Sequence, residues 1–228
     1  MDCLDGLRRL PDASIDCVVT DPPYRLTQHG SAGNTGGIMG KPLYGTGKVF
    51  THNDIDIEEY LPELYRVLKD GTHCYIMCNH RNLTHFLRVI DESGFHFIKC
   101  LIWDKAHKIM GKFYMNRFEY ILLVSKGRER PVNDCGRDDI IRIPNVREKK
   151  SGQNIHDCQK PVSLMQVLIE NSTRRGEIVL DPFMGSGTTA LASHRIERHY
   201  IGFEIDKVYY DLAMSRIRTS SCQLDLFE

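Results

Sequence analysis

The 228-residue chain has no long apolar run and no charged-then-apolar segment at its amino terminus. Those absences predict neither a membrane span nor a secretory signal, and hence a cytoplasmic protein. Net charge is also missing: 30 Lys+Arg stand against 30 Asp+Glu, which argues against a generic binder of polyanions. The eight cysteines are scattered (Cys3, Cys17, Cys74, Cys78, Cys100, Cys135, Cys158, Cys222) and show no paired metal-ligand spacing. Several lie in strand-like runs, so reduced buried thiols and no metal are expected. What remains is an ordinary globular composition, 41% apolar and 26% charged, at a length suited to one domain over residues 1–228. The charge is uneven, however. Trp103 to Lys150 carries 12 basic and 7 acidic residues, leaving 18 basic and 23 acidic elsewhere. A basic middle on an acidic remainder fits a face turned toward phosphates, or a plain solvated loop.

Two short stretches carry the chemistry. Asp181-Pro-Phe-Met-Gly-Ser-Gly-Thr-Thr189 follows the apolar run Glu177-Ile-Val-Leu180 and precedes a helical pattern through His194. Strand, glycine turn and helix together present backbone N–H groups and a positive helix end to a polar ligand. Side chains at Gly185 and Gly187 would block close approach to that backbone. A Gly-x-Gly by itself is an ordinary turn. The second stretch, Asp21-Pro-Pro-Tyr24, follows the strand-like Ile15-Asp-Cys-Val-Val-Thr20. Consecutive prolines stiffen the backbone and offer acceptors only. Asp21 adds a carboxylate, Pro22 a carbonyl and Tyr24 an aromatic face. That set suits the exocyclic amine of a planar base; taken alone it could also be a surface turn.

With these motifs the chain resembles the S-adenosylmethionine-dependent amino-methyltransferases of DNA, in the beta-group order. In that group the catalytic Asp-Pro-Pro-Tyr precedes the cofactor motif Asp-Pro-Phe-x-Gly-Ser-Gly-Thr-Thr. Both match without substitution, and Gln159-Lys160-Pro161 matches the group's helix-start motif. The resemblance spans roughly Asp2 to Arg218. It implies a class I, Rossmann-like α/β fold: a doubly wound, mostly parallel seven-stranded sheet with one antiparallel strand. It implies S-adenosylmethionine as cofactor, held by Asp181, Pro182, Phe183, Gly185, Ser186, Gly187, Thr188 and Thr189. Asp2 and Cys3 match the segment that contacts the cofactor adenine, and Lys160 the contact near its methionine end. Glu204, about twenty residues past the glycine turn, is placed to accept both ribose hydroxyls. The strand that precedes Asp2 in that group has no counterpart here. The strand His199 to Ile205 would then be an uncovered edge, with the tail Ser221 to Phe227 or a second subunit as its cover.

Between the motifs, residues 25–54 contain Gly30, Gly33, Gly36, Gly37, Gly40, Gly45 and Gly47, the composition of a mobile loop. It is expected to close over cofactor and base, or else to be a disordered insertion. Periodicity predicts helices over Glu58 to Lys69 (stopped at Gly71), Asn82 to Ser93, from Pro161 onward, and Lys207 to Arg218. Strands are expected over His73 to Cys78, Phe95 to Trp103 and Phe118 to Ser125. The connector between the last two holds Lys105, His107, Lys108, Lys112, Phe113, Tyr114 and Arg117. Basic residues interleaved with aromatics fit DNA contacts, although Phe113 and Tyr114 could equally pack on the sheet edge. Residues 128–157 show little periodicity and no obvious core. In this group such a segment holds target recognition, with Arg137, Arg142, Arg147, Lys149 and Lys150 as candidate DNA contacts. Its shortness limits sequence selection and favours a homodimer.

The resulting expectation is methyl transfer to adenine N6 in double-stranded DNA, with Asp21, Pro22, Pro23 and Tyr24 catalytic. Asp21 and the Pro22 carbonyl accept the amine hydrogens, and the adenine is flipped out to stack on Tyr24. No Pro-Cys motif of the cytosine-C5 type is present. Cytosine N4 asks for the same acceptors; in this group Asp at the first motif position favours adenine and Ser favours cytosine. RNA as substrate and a non-catalytic DNA-binding subunit remain as alternatives.

Overall fold

The computed structural model describes residues 1–23, 55–109, 113–145, 149–150, 153–154 and 159–224. The expected mobile loop at 25–54, and with it Tyr24, lies outside them.

In chain order the elements are α1 (Cys3–Leu7), β1 (Ile15–Thr20), α2 (Ile57–Val67), β2 (Leu68–Cys78), α3 (Leu83–Glu92), β3 (Phe95–Ile109), β4 (Asn116–Lys126) and β5 (Ile140–Arg142). They continue with β6 (Lys149–Lys150), β7 (Gln153–Asn154), α4 (Val162–Ser172), β8 (Ile178–Asp181), α5 (Thr188–Arg195), β9 (His199–Gly202) and α6 (Lys207–Leu224). One sheet has the order β5-β3-β4-β2-β1-β8-β9, and β6 pairs with β7 apart from it. Strand β4 runs antiparallel to both its neighbours, while the other pairings in the large sheet are parallel. The doubly wound sheet with one antiparallel strand is therefore present as expected.

Every residue of β1 is buried, because helices cover both faces of the strand. Val18 faces a core built with Ile57, Leu61 and Leu64 of α2 and with Phe86 and Ile90 of α3. Cys17 and Val19 face the opposite core, with Leu164, Met165 and Leu168 of α4 and Ala192 of α5. A strand buried on both sides reads as a continuous apolar run rather than an alternation, and Ile15-Asp-Cys-Val-Val-Thr20 does. Its one acid, Asp16, accepts from Lys69 Nζ at 2.6 Å and from the Ile178 N–H at 2.9 Å, clamping β1 to its neighbours at the amino-terminal edge of the sheet.

The structure revises three boundaries. Gly71 does not stop a helix: β2 begins at Leu68, directly after α2, and Gly71 sits within the strand at φ +75°. The Arg128 carbonyl lies 3.1 Å from where a Cβ at Gly71 would stand. Inside the segment expected to lack a core, Ile140–Arg142 adds an edge strand to β3, with Ile141 and Ile143 packed on the second core. Three residues are too few to show a period, so this strand had no sequence signal. At the other edge β9 is indeed outermost among the described strands, but residues 221–224 continue helix α6 and do not form a strand beside it.

Helix α5 starts at Gly187, where φ is +80° and an added Cβ would stand 2.7 Å from Ala213 Cβ of α6. Gly176 has a similar φ of +78° with nothing within 4 Å. Gly176→Ala should therefore lose roughly 1–2 kcal/mol for the left-handed backbone alone. Gly187→Ala should lose roughly 3 kcal/mol or more, because overpacking is added. Urea unfolding of the two variants checks the difference; equal losses would contradict the packing of α6 on the turn.

Candidate active site

Parallel strands β1 and β8 are adjacent, in register at Cys17 with Val179 and Val18 with Leu180. Parallel neighbours end at the same edge of a sheet, so Asp21 and the glycine turn emerge side by side. Asp181 fastens them. Its Oδ1 accepts from Thr20 Oγ1 of β1 at 2.9 Å and from the Phe183 N–H at 3.1 Å, and its Oδ2 accepts from Thr189 Oγ1 of α5 at 2.6 Å. Burial nevertheless wins over these three donors and raises the carboxyl to about 6. Pro182 is buried behind it, and Phe183 meets the Tyr60 ring edge-on with centroids 5.0 Å apart.

The turn itself is tied down within the protein. The Gly185 N–H donates to Glu204 Oε2 at 2.8 Å, and the Gly187 N–H to the Met184 carbonyl at 2.9 Å. Gly187 is thus required by its φ and by helix α6 at its back. From α6, Arg216 donates to the Ser186 carbonyl at 2.6 Å and to Ser186 Oγ at 3.2 Å, and approaches Thr188 Oγ1 at 3.5 Å. Glu204 lies just past β9 and also accepts the Asp206 N–H at 2.8 Å on Oε1. Each of its oxygens carries one of these bonds, and a carboxylate has about four lone-pair sites, so acceptor capacity for two hydroxyls remains. The amino terminus joins the same edge through the Met1 ammonium, which donates to the Glu204 carbonyl at 2.6 Å. Asp2 caps α1 by accepting from the Leu4 N–H at 2.9 Å, and Cys3 is buried, its thiol pushed up to about 12 chiefly by desolvation.

Beyond Asp21 runs a line of alternating charges absent from the sequence reading. Lys160 donates to Asp21 Oδ2 and stands 3.5 Å from Glu119 Oε2 of β4; Lys105 of β3 donates to Glu119 Oε1 at 2.5 Å. Both lysines are about one-tenth exposed. Burial pushes the Asp21 carboxyl up despite Lys160, and Glu119 adds to the rise. Burial opposes ionisation of Glu119 too, but Lys160 and Lys105 outweigh it and hold that carboxyl down. Lys105 and Arg117, read as DNA contacts, are engaged internally: Arg117 forks onto Asp104 at 2.7 and 2.8 Å. Phe113 and Tyr114 do not pack on the sheet edge. They are 87% and 89% exposed ahead of β4, whose first residues lie at the edge of the sheet where β1 and β2 end. Of the recognition candidates, Arg137 pairs with Asp134 at 3.4 Å and Arg142 is 3.9 Å from Asp104, while Arg147 and the side chains of Lys149 and Lys150 lie outside the described residues.

A family model described as DNA methylase, of the N6/N4 type, matches residues 15–215. The chain belongs to that family. Its members are the S-adenosylmethionine-dependent amino-methyltransferases of DNA. The chain is similar to the Type II methyltransferase M2.MboI of Moraxella bovis, at 28% identity over 94% of this chain and 84% of that protein. It is also similar to the Type II methyltransferase M.HinfI of Haemophilus influenzae, at 26% identity over 95% of this chain and 67% of that one. Among solved structures, the M1.HpyAVI–SAM complex aligns with a TM-score of 0.68 at 24% identity, covering 94% of this chain and 96% of that one. The cytosine-N4-specific PvuII DNA methyltransferase aligns with a TM-score of 0.73 at 20% identity, over 95% and 84%. These last two likenesses are of fold.

In this DNA methylase, sequence reasoning missed Thr20, Glu119 and Arg216 at the candidate site, and it read Lys105 as a DNA contact rather than as the partner of Glu119. Thr20 was legible as the last residue before Asp21. The other three are brought in by hairpin register and helix packing, for which no local signal exists.

The raised Asp181 carboxyl gives a pH test. A folded-state pKa of about 6, above the ordinary value of 3.8, means that the folded protein binds this proton more tightly than the unfolded chain. Its contribution to stability therefore grows as pH falls from about 6 toward 4 and is absent above 7. Wild type should gain up to about 3 kcal/mol relative to Asp181→Asn between pH 7.5 and pH 4. Chemical unfolding at both pH values reads it; a difference that shrinks with acid contradicts the buried carboxylate.

Proposed function

We propose that this DNA methylase transfers the methyl group of S-adenosylmethionine to N6 of adenine in double-stranded DNA. The observation that carries this reading is the Thr20–Asp181 bond, which holds the Asp21 tip against the glycine turn at one sheet edge. The adenine choice rests on Asp rather than Ser at position 21.

When bound, the cofactor supplies a methyl group activated by its sulfonium. Glu204 would hold the ribose hydroxyls on its remaining lone pairs, Phe183 would pack beside the methionine part, and the Asp181-to-Thr189 turn would face it with its backbone. Asp21, Pro22 and Pro23 form a stiff acceptor tip. Asp21 and the Pro22 carbonyl each accept one hydrogen of the adenine amine. The nitrogen lone pair, otherwise delocalised into the ring, is thereby localised toward the methyl carbon. Most of the acceleration is positioning of two reactants, with no covalent enzyme intermediate. Asp21 need not be a strong base, since the amine acidifies once methylated; a carboxyl raised by burial is suited to receiving that proton. The amine is hidden in a duplex, so the adenine leaves the stack, with Tyr24 completing the motif as its stacking partner. The exposed hairpin aromatics Phe113 and Tyr114 fit contacts with bases so disturbed. A homodimer, supplying a second recognition segment, belongs to the same reading.

Nucleoside mass spectrometry of DNA treated with the purified chain and S-adenosylmethionine should show N6-methyladenine; N4-methylcytosine would reassign the base. Asp21→Ala should bring methylation below detection while cofactor affinity stays nearly intact. Asp21→Asn keeps an acceptor oxygen but removes the charge that faces Lys160, so it should retain measurable methylation where Asp21→Ala retains none. Parallel loss of both properties would overturn the division of roles between the two motifs.

A further inference from the structure

Glu119 is used unevenly. Its Oε1 receives Lys105 at 2.5 Å, whereas its Oε2 is buried, accepts no hydrogen bond, and lies 3.5 Å from the Lys160 ammonium. Neutrality alone does not call for this arrangement, because Lys105 already balances Glu119 and Lys160 already balances Asp21. A buried carboxylate oxygen without a donor is unfavourable, and here the nearest cation is held by another acid. Lys160 Nζ would need to move only roughly 0.7 Å to reach the ordinary length of an ammonium–carboxylate bond with Oε2.

The acid that holds Lys160 is Asp21, which on the function proposed above must accept a hydrogen from the target amine. The Lys160 ammonium on Oδ2 competes with that amine for the negative charge of the carboxylate, so a lysine held elsewhere leaves Asp21 the stronger acceptor. We propose that Glu119 is a positioning residue that offers the Lys160 ammonium a second seat, so that Asp21 exchanges its lysine for the substrate amine as Lys160 shifts to Glu119 Oε2. The hairpin builds this seat. Trp103 of β3 pairs with Glu119 of β4, and Lys105, two residues on along the same face, clamps Oε1 and leaves Oε2 toward Lys160. The total charge of the four groups is zero before and after the shift, so no charge is buried or released when the amine arrives. Lys160 acts as a counterion that changes partner, and Glu119 acts only through it.

A double-mutant cycle on the full chain tests this, reading the single-turnover methylation rate alongside affinities for S-adenosylmethionine and DNA. Glu119→Gln keeps the shape and removes the charge that attracts Lys160. It should lower the rate about tenfold or more while both affinities stay within about twofold. In a Lys160→Met background the same substitution should change the rate by less than about twofold, because the group it acts through is gone. The pair Glu119→Gln with Lys105→Gln restores charge balance in case the single variant folds poorly, and it should remain slow. Full rate in Glu119→Gln, multiplication of its effect with that of Lys160→Met, or recovery of rate in the balanced pair would each overturn the proposal. A wild-type chain that methylates no DNA amine would instead overturn the functional reading beneath it.

Discussion

One buried carboxylate holds the site together. An ionised group taken out of water needs a donor for each oxygen, and Asp181 finds its three on three different elements: Thr20 at the end of β1, the Phe183 amide in the glycine turn, and Thr189 in the first turn of α5. Satisfying that acid therefore fixes the separation of the acceptor tip from the turn. At the opposite edge Asp16 performs the matching task, joining β1 to Lys69 and to the Ile178 amide. With both ends clamped, the β1–β8 register cannot slip, and a one-residue slip would move Asp21 to the other face.

Around this anchor the molecule places charge with little margin. Asp21, Lys160, Glu119 and Lys105 alternate in sign through a largely buried region, where an unpaired member would be strongly destabilising. Such a line is costly as a source of stability, and it sets Lys160 between two carboxylates, Asp21 and Glu119. Helix α6 closes the other side, its Ala213 against Gly187 and its Arg216 on Ser186. Supports of this kind keep the turn stiff without presenting side chains to a ligand.

The sequence made the two motifs legible because each is contiguous and sits after an apolar run. The doubly wound sheet with one antiparallel strand, and helices α2, α3, α4 and α6, followed from periodicity and resemblance; that the antiparallel strand is β4 came from the structure. What escaped was set by pairing at a distance. Glu119 and Lys105 enter the site through hairpin register, and Lys160 meets Asp21 across 139 positions of chain. Gly71 looked like a helix stop because a glycine after an amphipathic run usually is one, yet here it serves a strand. The glycines of the turn were read as clearance for a ligand; at Gly187 the clearance is for Ala213. Ile140–Arg142 was invisible because a three-residue edge strand has no period to detect.

A structure of this chain with S-adenosylmethionine bound is the most direct check. On the proposed reaction, a near-attack separation of about 3–3.5 Å and a hydrogen bond of about 2.9 Å, diverging at roughly a right angle or somewhat more from one amine nitrogen, put the sulfonium methyl roughly 4.5–5 Å from an Asp21 carboxylate oxygen, at the shared edge of β1 and β8. A methyl group lying on the far side of the sheet, or well beyond the span that one amine nitrogen can bridge, would contradict a site built from these two strand ends.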